Sequence, residues 1–143
     1  MLNFAVAMIQ TDSKVRVRYG EVDMMGYLYH SHYVELFDLG RNDLLRSLGH
    51  TYAQVEAAGV MMPVMQVHID YKKPAHYDDV LIVRTSLSEL PRGAKVTFHY
   101  EVLREEGEEL LTTGSVTLAF MDSVTHRPVR PPKYLLELFA PYF

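Results

Sequence analysis

The stretch Arg18–Leu48, RYGEVDMMGYLYHSHYVELFDLGRNDLLRSL, decides the fold because it joins a strand, a turn and a helix in one run. Apolar and polar residues alternate over Val15–Tyr19, which predicts a half-buried strand. The turn Gly20–Tyr29 follows. Apolar residues then recur at spacings of three, four and seven over His32–Leu48, which predicts a well-buried helix with Ser31 as its N-cap. Gly40 interrupts this helix, which a close approach by another backbone would explain.

Downstream of this helix the hydrophobic period changes from that of a helix to that of strands. A second, short helix is predicted from Thr51 to Gly59, with Thr51 and Gln54 as a capping box. Alternation then predicts four strands at Met65–Tyr71, Val80–Leu87, Val96–Val102 and Leu110–Met121, with one or two helical turns at Lys133–Phe139. The first of these strands is predicted to have one wet and one buried face. Short turns join the last three strands, which predicts antiparallel neighbours. One helix against one antiparallel sheet is an α+β fold.

Length and composition restrict the class of protein. At 143 residues the chain is predicted to be a single domain, 1–143, in which residues 1–12 form either a disordered lead or an edge strand. The net charge of -4 argues against nucleic acid as the main partner. The absence of cysteine excludes disulfides, thiolate nucleophiles and Cys-ligated zinc. No apolar run is long enough to span a membrane and no signal peptide is recognisable, so we expect a cytoplasmic enzyme or binding domain.

The turn before the helix carries residues suited to acyl transfer. Asp23, Gly26 and His30 all lie just ahead of the predicted helix. A helix N-terminus offers unpaired backbone N–H groups and a positive dipole end, which can hold developing negative charge. A carboxylate beside it supplies a base or nucleophile. The alternative is that Asp23 only stabilises the turn and that Gly26 only permits it.

A pattern of nine residues runs through this stretch: Arg18, Tyr19, Glu21, Asp23, Gly26, Tyr29, His30, Tyr33 and Arg41. The pattern resembles the signature of the hotdog-fold acyl-CoA thioesterases of the 4-hydroxybenzoyl-CoA thioesterase type. Residues 77–81 also resemble the start of the family's third strand. The resemblance implies a hotdog fold, in which an antiparallel sheet wraps around one long central helix.

The resemblance also implies which residues form the site. It places the catalytic carboxylate at Asp23, acting as nucleophile or general base. It places His30 at the start of the central helix, where backbone N–H groups hold the thioester oxygen. We therefore assign Asp23 and His30 as catalytic, and Gly26, Tyr29 and Tyr33 as substrate-binding. Glu35 is the reserve base, because another branch of the fold carries its acid on this helix.

The implied reaction is hydrolysis of an acyl-CoA to a carboxylic acid and free CoA by a homodimer or homotetramer, without a metal or redox cofactor. His30 and His32 lack a third metal ligand nearby. Two alternatives remain at this stage: hydrolysis of acyl-carrier-protein thioesters, and acyl-CoA binding without catalysis. The acyl group and the contacts to the CoA phosphates stay open, with Arg92, Lys95, Arg127 and Arg130 as candidates for the latter.

Overall fold

The computed structural model describes residues 7–143. Its α-helices and β-strands follow one another as β1 (Ile9–Arg16), α1 (His32–Ser47), α2 (Tyr52–Ala57), β2 (Val60–Met61), β3 (Val64–Tyr71), β4 (Val80–Leu87), β5 (Lys95–Arg104), β6 (Glu109–Ala119), β7 (Met121–Asp122) and α3 (Lys133–Phe139). Residues 9–12 therefore lie in a strand. Residues 1–6, which the sequence analysis expected to form part of a disordered lead or an edge strand, lie outside the described residues.

The main sheet has five strands in the order β1-β4-β5-β6-β3, and every neighbouring pair is antiparallel. The prediction that the last three long strands are antiparallel neighbours is confirmed, as is the α+β class. A second, two-stranded sheet pairs β2 with β7. The sequence analysis missed it because it merged β7 with the end of β6.

The helices agree closely with the predicted ones. Ser31 occupies the N-cap of α1, but its side chain makes no capping hydrogen bond. The capping box of α2 is present in both directions, between Thr51 and Gln54. Within residues 7–143, no helix combines the length and the apolar character that a membrane crossing requires.

α1 lies against the centre of the sheet. The ring of Phe37 stacks on that of Tyr100 in β5, with centroids 4.3 Å apart and planes 15° apart. Gly114 in β6 makes room for this ring, since a Cβ there would lie 2.6 Å from Phe37 Cζ and 2.7 Å from the carbonyl oxygen of His68. The helix has 16 residues, or about 24 Å.

Gly40 is also a point of close approach, although not to the kind of atom expected. The sequence predicted a neighbouring backbone. The structure instead places side chains of β4 there: a Cβ on Gly40 would lie 2.1 Å from Thr85 Oγ1 and 3.3 Å from Val83 Cγ1. The helix therefore sits directly on the side chains of this strand.

The first strand was predicted too late in the chain. It was expected over Val15–Tyr19, but β1 ends at Arg16, and Tyr19–Glu21 forms a turn of 3₁₀ helix. The sequence did not reveal the earlier part of the strand because one of its buried positions is polar. Ser13 is buried and donates a hydrogen bond to Asp43 Oδ2 on α1 at 2.6 Å. A buried serine hides the strand from a search for alternating apolar residues.

The prediction for β3 was wrong in its burial. We expected one wet and one buried face, but seven of its eight residues are exposed. The exposed apolar residues are Val64, Met65, Val67 and Tyr71. The reason is position: β3 is an edge strand, and within residues 7–143 α1 leaves Val64, Met65 and Val67 exposed.

Candidate active site

The turn after β1 is a tight hairpin closed by its own backbone. Val22 and Leu28 form an antiparallel bridge, and the Asp23 N–H donates to the Tyr27 carbonyl at 2.8 Å. The N–H of Gly26 donates back to the Asp23 carbonyl at 2.9 Å. Gly26 has a φ of +78°, in the left-handed region that favours glycine. The expectation that Gly26 permits a tight turn is met.

The two oxygens of the Asp23 carboxylate have different surroundings. Oδ1 accepts hydrogen bonds from the backbone N–H groups of Met25 at 2.8 Å and Tyr27 at 3.2 Å. No hydrogen bond from any residue between 7 and 143 reaches Oδ2. Asp23 therefore stabilises its turn, as the alternative interpretation held, and still has one oxygen available for chemistry.

A pocket of about 280 Å³ opens beside this carboxylate. It is lined by Asp23, Met25, Tyr27, Leu28, His30, Tyr33, Tyr71, Lys72, Lys73 and Pro74. Three of the five residues assigned from the sequence, Asp23, His30 and Tyr33, therefore meet at one pocket. Gly26 lies in the hairpin and not in the pocket wall. Tyr29 is exposed, with its ring centroid 4.4 Å from that of His30, and does not line the pocket.

The start of α1 presents an unpaired backbone donor beside this pocket. The N–H of Tyr29 donates to the Glu21 carbonyl at 2.9 Å, and that of His32 donates to the Tyr29 carbonyl at 3.0 Å. Between them, the N–H of His30 finds no hydrogen-bond acceptor in the described part of the chain. The first N–H groups of a helix also lack partners within the helix. Asp23, with a free carboxylate oxygen, and His30, with a free N–H, thus line one pocket.

The opposite wall of the pocket was not found from the sequence. It is the segment 71–75, which begins at the last residue of β3. The N–H of Leu28 donates to the Ala75 carbonyl at 2.8 Å, and the Tyr71 hydroxyl donates to the His30 carbonyl at 2.8 Å. Arg104 Nη2 donates to the Pro74 carbonyl at 2.9 Å. Two non-local pairings bring this segment to the hairpin: that of β3 with β6 before it and that of β1 with β4 after it.

Two tyrosines from the two walls pack together. Tyr33 on α1 is buried, and its ring meets that of Tyr71 edge-on, with centroids 5.2 Å apart. Burial raises the pKa of Tyr33 and also that of Tyr71. Both hydroxyls therefore stay protonated at neutral pH and remain available as hydrogen-bond donors.

The remaining candidates lie elsewhere. Glu35, the reserve base, is exposed, does not line the pocket, and pairs with His32 Nδ1 at 3.5 Å. Arg92 and Lys95 line a separate, smaller pocket of about 160 Å³. Inside the main pocket wall, Lys73 pairs with Glu109 at 2.9 Å. The cationic residues that line the main pocket, Lys72 and Lys73, are thus lysines that the sequence analysis did not single out.

Comparison with known proteins identifies the family. The family model for the Thioesterase-like superfamily matches residues 17–139. The acyl-CoA thioesterase YbgC of Haemophilus influenzae is 32% identical over 126 residues, which cover 87% of this chain and 90% of that protein. YneP of Bacillus subtilis is 32% identical over 117 residues, which cover 82% of this chain and 83% of that protein.

Among solved structures, the crystal structure of DHNA-CoA thioesterase from Staphylococcus aureus superposes with a TM-score of 0.85 at 30% identity. The superposition covers 92% of this chain and 89% of that one. The resemblance to hotdog-fold acyl-CoA thioesterases that the sequence suggested is confirmed, and the chain belongs to the Thioesterase-like superfamily.

Proposed function

We propose that this protein hydrolyses an acyl-CoA thioester to a carboxylic acid and free CoA. The observation that carries the proposal is the Asp23 carboxylate, which lines the pocket with one oxygen unused by the fold, beside the unpaired N–H of His30. Thioester hydrolysis needs an attacking oxygen next to a place for negative charge. The acyl-CoA thioesterase YbgC, at 32% identity, supports CoA as the thiol component of the substrate.

Asp23 has two routes to the product. In the first, its carboxylate attacks the thioester carbonyl carbon and expels the CoA thiolate, and water then cleaves the mixed anhydride. In the second, Asp23 takes a proton from a water molecule, which attacks the same carbon. A positioned general base contributes about 10²- to 10⁴-fold in rate. Thiolate is a good leaving group, so neither route depends on a strong general acid.

Both routes place negative charge on the carbonyl oxygen. We assign its stabilisation to the N–H groups of His30 and Ser31, since neither has a hydrogen-bond acceptor within residues 7–143 and the positive end of the α1 dipole adds to them. One such donor is worth about 10²- to 10³-fold in rate. The His30 side chain, which also lines the pocket, is placed to contact the acyl group or the attacking water.

The exposed edge of the sheet supports assembly into a homodimer. An edge strand with exposed apolar residues is an unpaired template for another strand, and a monomer rarely leaves one uncovered. β3 fits this description, with Val64 49% and Met65 56% exposed. We propose that two copies pair through β3, with further association to a tetramer left open. Because β3 ends at the pocket wall, the interface would lie close to the site.

To test this assembly, a charge is introduced on each edge strand of the sheet in a separate variant. We expect Val67→Asp in β3 to shift the protein towards the monomer in sedimentation velocity. Gln10→Asp in β1, on the opposite edge, should leave the assembly unchanged. A wild-type protein that sediments as a monomer at micromolar concentration would contradict the proposal.

The test of the activity is release of CoA from a panel of thioesters, from acetyl to palmitoyl and including benzoyl and hydroxybenzoyl. We expect Asp23→Asn to lower kcat/KM by about 10²- to 10⁴-fold on the best substrate. The matched control is Asp122→Asn. Asp122 also accepts two backbone N–H groups in a turn, from Val124 at 2.9 Å and Thr125 at 2.8 Å, but lies outside the pocket.

Because asparagine keeps the oxygen that accepts the turn hydrogen bonds, both variants should fold. Full activity of folded Asp23→Asn would overturn the role of Asp23. If the wild-type protein hydrolyses none of the panel, turnover of acyl-carrier-protein thioesters would favour that substrate instead. Binding of acyl-CoA without any turnover would favour a non-catalytic domain.

A further inference from the structure

We propose that Tyr71 is a positioning residue for this reaction: its hydroxyl holds the His30 carbonyl and thereby orients the backbone amides at the start of α1. The inference rests on the proposed function, because those amides are its oxyanion donors. The residue does not itself act on the thioester. Its effect passes through the backbone that it holds.

The contact spans the pocket from one wall to the other. Tyr71 is the last residue of β3, and its hydroxyl donates to the His30 carbonyl at 2.8 Å. Its ring is supported by the edge-on contact with Tyr33, at 5.2 Å between centroids. The side chain is thus held at both its ring and its hydroxyl, although Tyr71 is 50% exposed.

The peptide geometry explains why this bond matters. The carbonyl of His30 and the N–H of Ser31 belong to one planar peptide unit, so a hydrogen bond to the carbonyl sets the direction of that N–H. The N–H of His30 belongs to the preceding peptide unit, which is joined to this one at the Cα of His30. The neighbouring N–H groups of Tyr29 and His32 are fixed by backbone hydrogen bonds, whereas that of His30 is not. The Tyr71 hydroxyl supplies a constraint at this position.

Other ties between the two walls do not depend on this hydroxyl. The N–H of Leu28 donates to the Ala75 carbonyl at 2.8 Å, and Tyr27 forms a bridge with His76. These ties hold the hairpin to the segment after β3 through Tyr27 and Leu28, and neither involves His30. Loss of the Tyr71 hydroxyl alone should therefore leave the walls joined while loosening the first amides of α1.

The variant that isolates this bond is Tyr71→Phe, which keeps the ring against Tyr33 and removes the donor. The matched control is Tyr77→Phe. Tyr77 is 54% exposed, its ring packs edge-on against Tyr19, and it does not line the pocket. We expect kcat of Tyr71→Phe to fall about five- to ten-fold, the size of one hydrogen bond, with KM within about two-fold of the wild-type value.

Hydrogen–deuterium exchange measures the same effect without catalysis. Peptides covering residues 28–34 should exchange faster in Tyr71→Phe than in the wild type, while Tyr77→Phe should match the wild type. Unchanged exchange and an unchanged kcat would overturn the inference. A rise in KM at constant kcat would also overturn it, because the hydroxyl would then contact the substrate.

These outcomes differ from failure of the proposed function. If Asp23→Asn is inactive but Tyr71→Phe keeps its full kcat, hydrolysis stands and the role of Tyr71 falls. If the wild type turns over no thioester, the reaction is wrong and this inference falls with it. Any faster exchange in Tyr71→Phe would then report only a structural tie.

Discussion

The two ends of α1 differ in how completely their surroundings are filled. From Phe37 to Leu45, which we call the packed end, Phe37 and Leu44 have no exposed surface, and Gly40 lies against the side chains of β4. At its start, His30 and Glu35 are exposed, and a pocket of about 280 Å³ adjoins the first turn. One helix therefore serves two purposes: its packed end stabilises the fold, and its open end leaves polar groups free for a ligand.

This separation has a physical basis. Unpaired polar groups are unfavourable unless water or a ligand reaches them, so they belong at an open pocket. Close packing, by contrast, leaves no room for a substrate. If the separation is real, substitutions at the packed end should change the free energy of unfolding while kcat of the folded protein stays the same.

The largest effect is expected for Gly114→Ala, which tests the packed end directly. Its new Cβ would lie 2.6 Å from Phe37 Cζ and 2.7 Å from the His68 carbonyl oxygen, and a backbone oxygen in a sheet moves little. We expect a loss of about 3 kcal/mol, or about 6–12 °C in Tm. Gly20→Ala is the control, since nothing lies within 4 Å of a Cβ there. A Tm equal to that of this control would contradict the prediction.

Gly40→Ala should have a smaller effect at the same interface. Its Cβ would lie 2.1 Å from Thr85 Oγ1, which is a side-chain atom, and alanine favours a helix over glycine by about 1 kcal/mol. We expect a net loss of about 1–2 kcal/mol in urea unfolding. Adding Thr85→Ala should recover part of it. Strictly additive losses in the double variant would show that the two positions do not clash.

Tyr100→Phe tests a buried polar contact of the packed end. Arg41 Nη1 donates to the Tyr100 hydroxyl at 3.2 Å, and Arg41 keeps a second partner in Asp38 at 3.0 Å. We expect a loss of about 1–2 kcal/mol in the free energy of unfolding and an unchanged kcat. Tyr142→Phe, at an exposed tyrosine, is the control. A fall in kcat of the folded protein would break the separation between the two ends.

The packed end was largely predictable from the sequence. The helical period placed α1 within one residue of its observed end, because burial along a helix repeats at a fixed spacing. A glycine inside that helix also marked a close approach, although not the atoms involved. Ser13 shows the limit of this approach: a buried polar residue in a strand is invisible until its partner Asp43 is known.

At the open end, the sequence predicted the hairpin wall of the pocket but not the wall that begins at Tyr71. Asp23, Gly26 and His30 are close in sequence, so their pattern could be recognised locally. Tyr71 lies 41 residues after His30, and the non-local pairings of β3 with β6 and of β1 with β4 bring it to the helix start. No local pattern specifies these pairings. The single domain predicted from chain length stays a prediction.

The smallest expected effect concerns the hairpin at the open end and depends on pH. Partial burial by itself raises the pKa of Glu21. The net pKa is nevertheless lowered, because Arg18 donates hydrogen bonds to this carboxylate, one of them from its backbone N–H at 2.7 Å, and adds its positive charge. Because the pKa of Glu21 is lowered in the folded state, its ionised carboxylate stabilises the fold at pH values above its ordinary pKa of 4.5. This contribution disappears as the pH falls through the folded-state pKa. We expect Glu21→Gln to lower Tm by about 1–2 °C at pH 7, and this difference should shrink as the pH falls below 4.5. Glu137→Gln, at an exposed pair with Lys133, should show no such pH dependence. A Tm difference for Glu21→Gln that stays constant as the pH falls below 4.5 would mean that shape, not charge, anchors this hairpin.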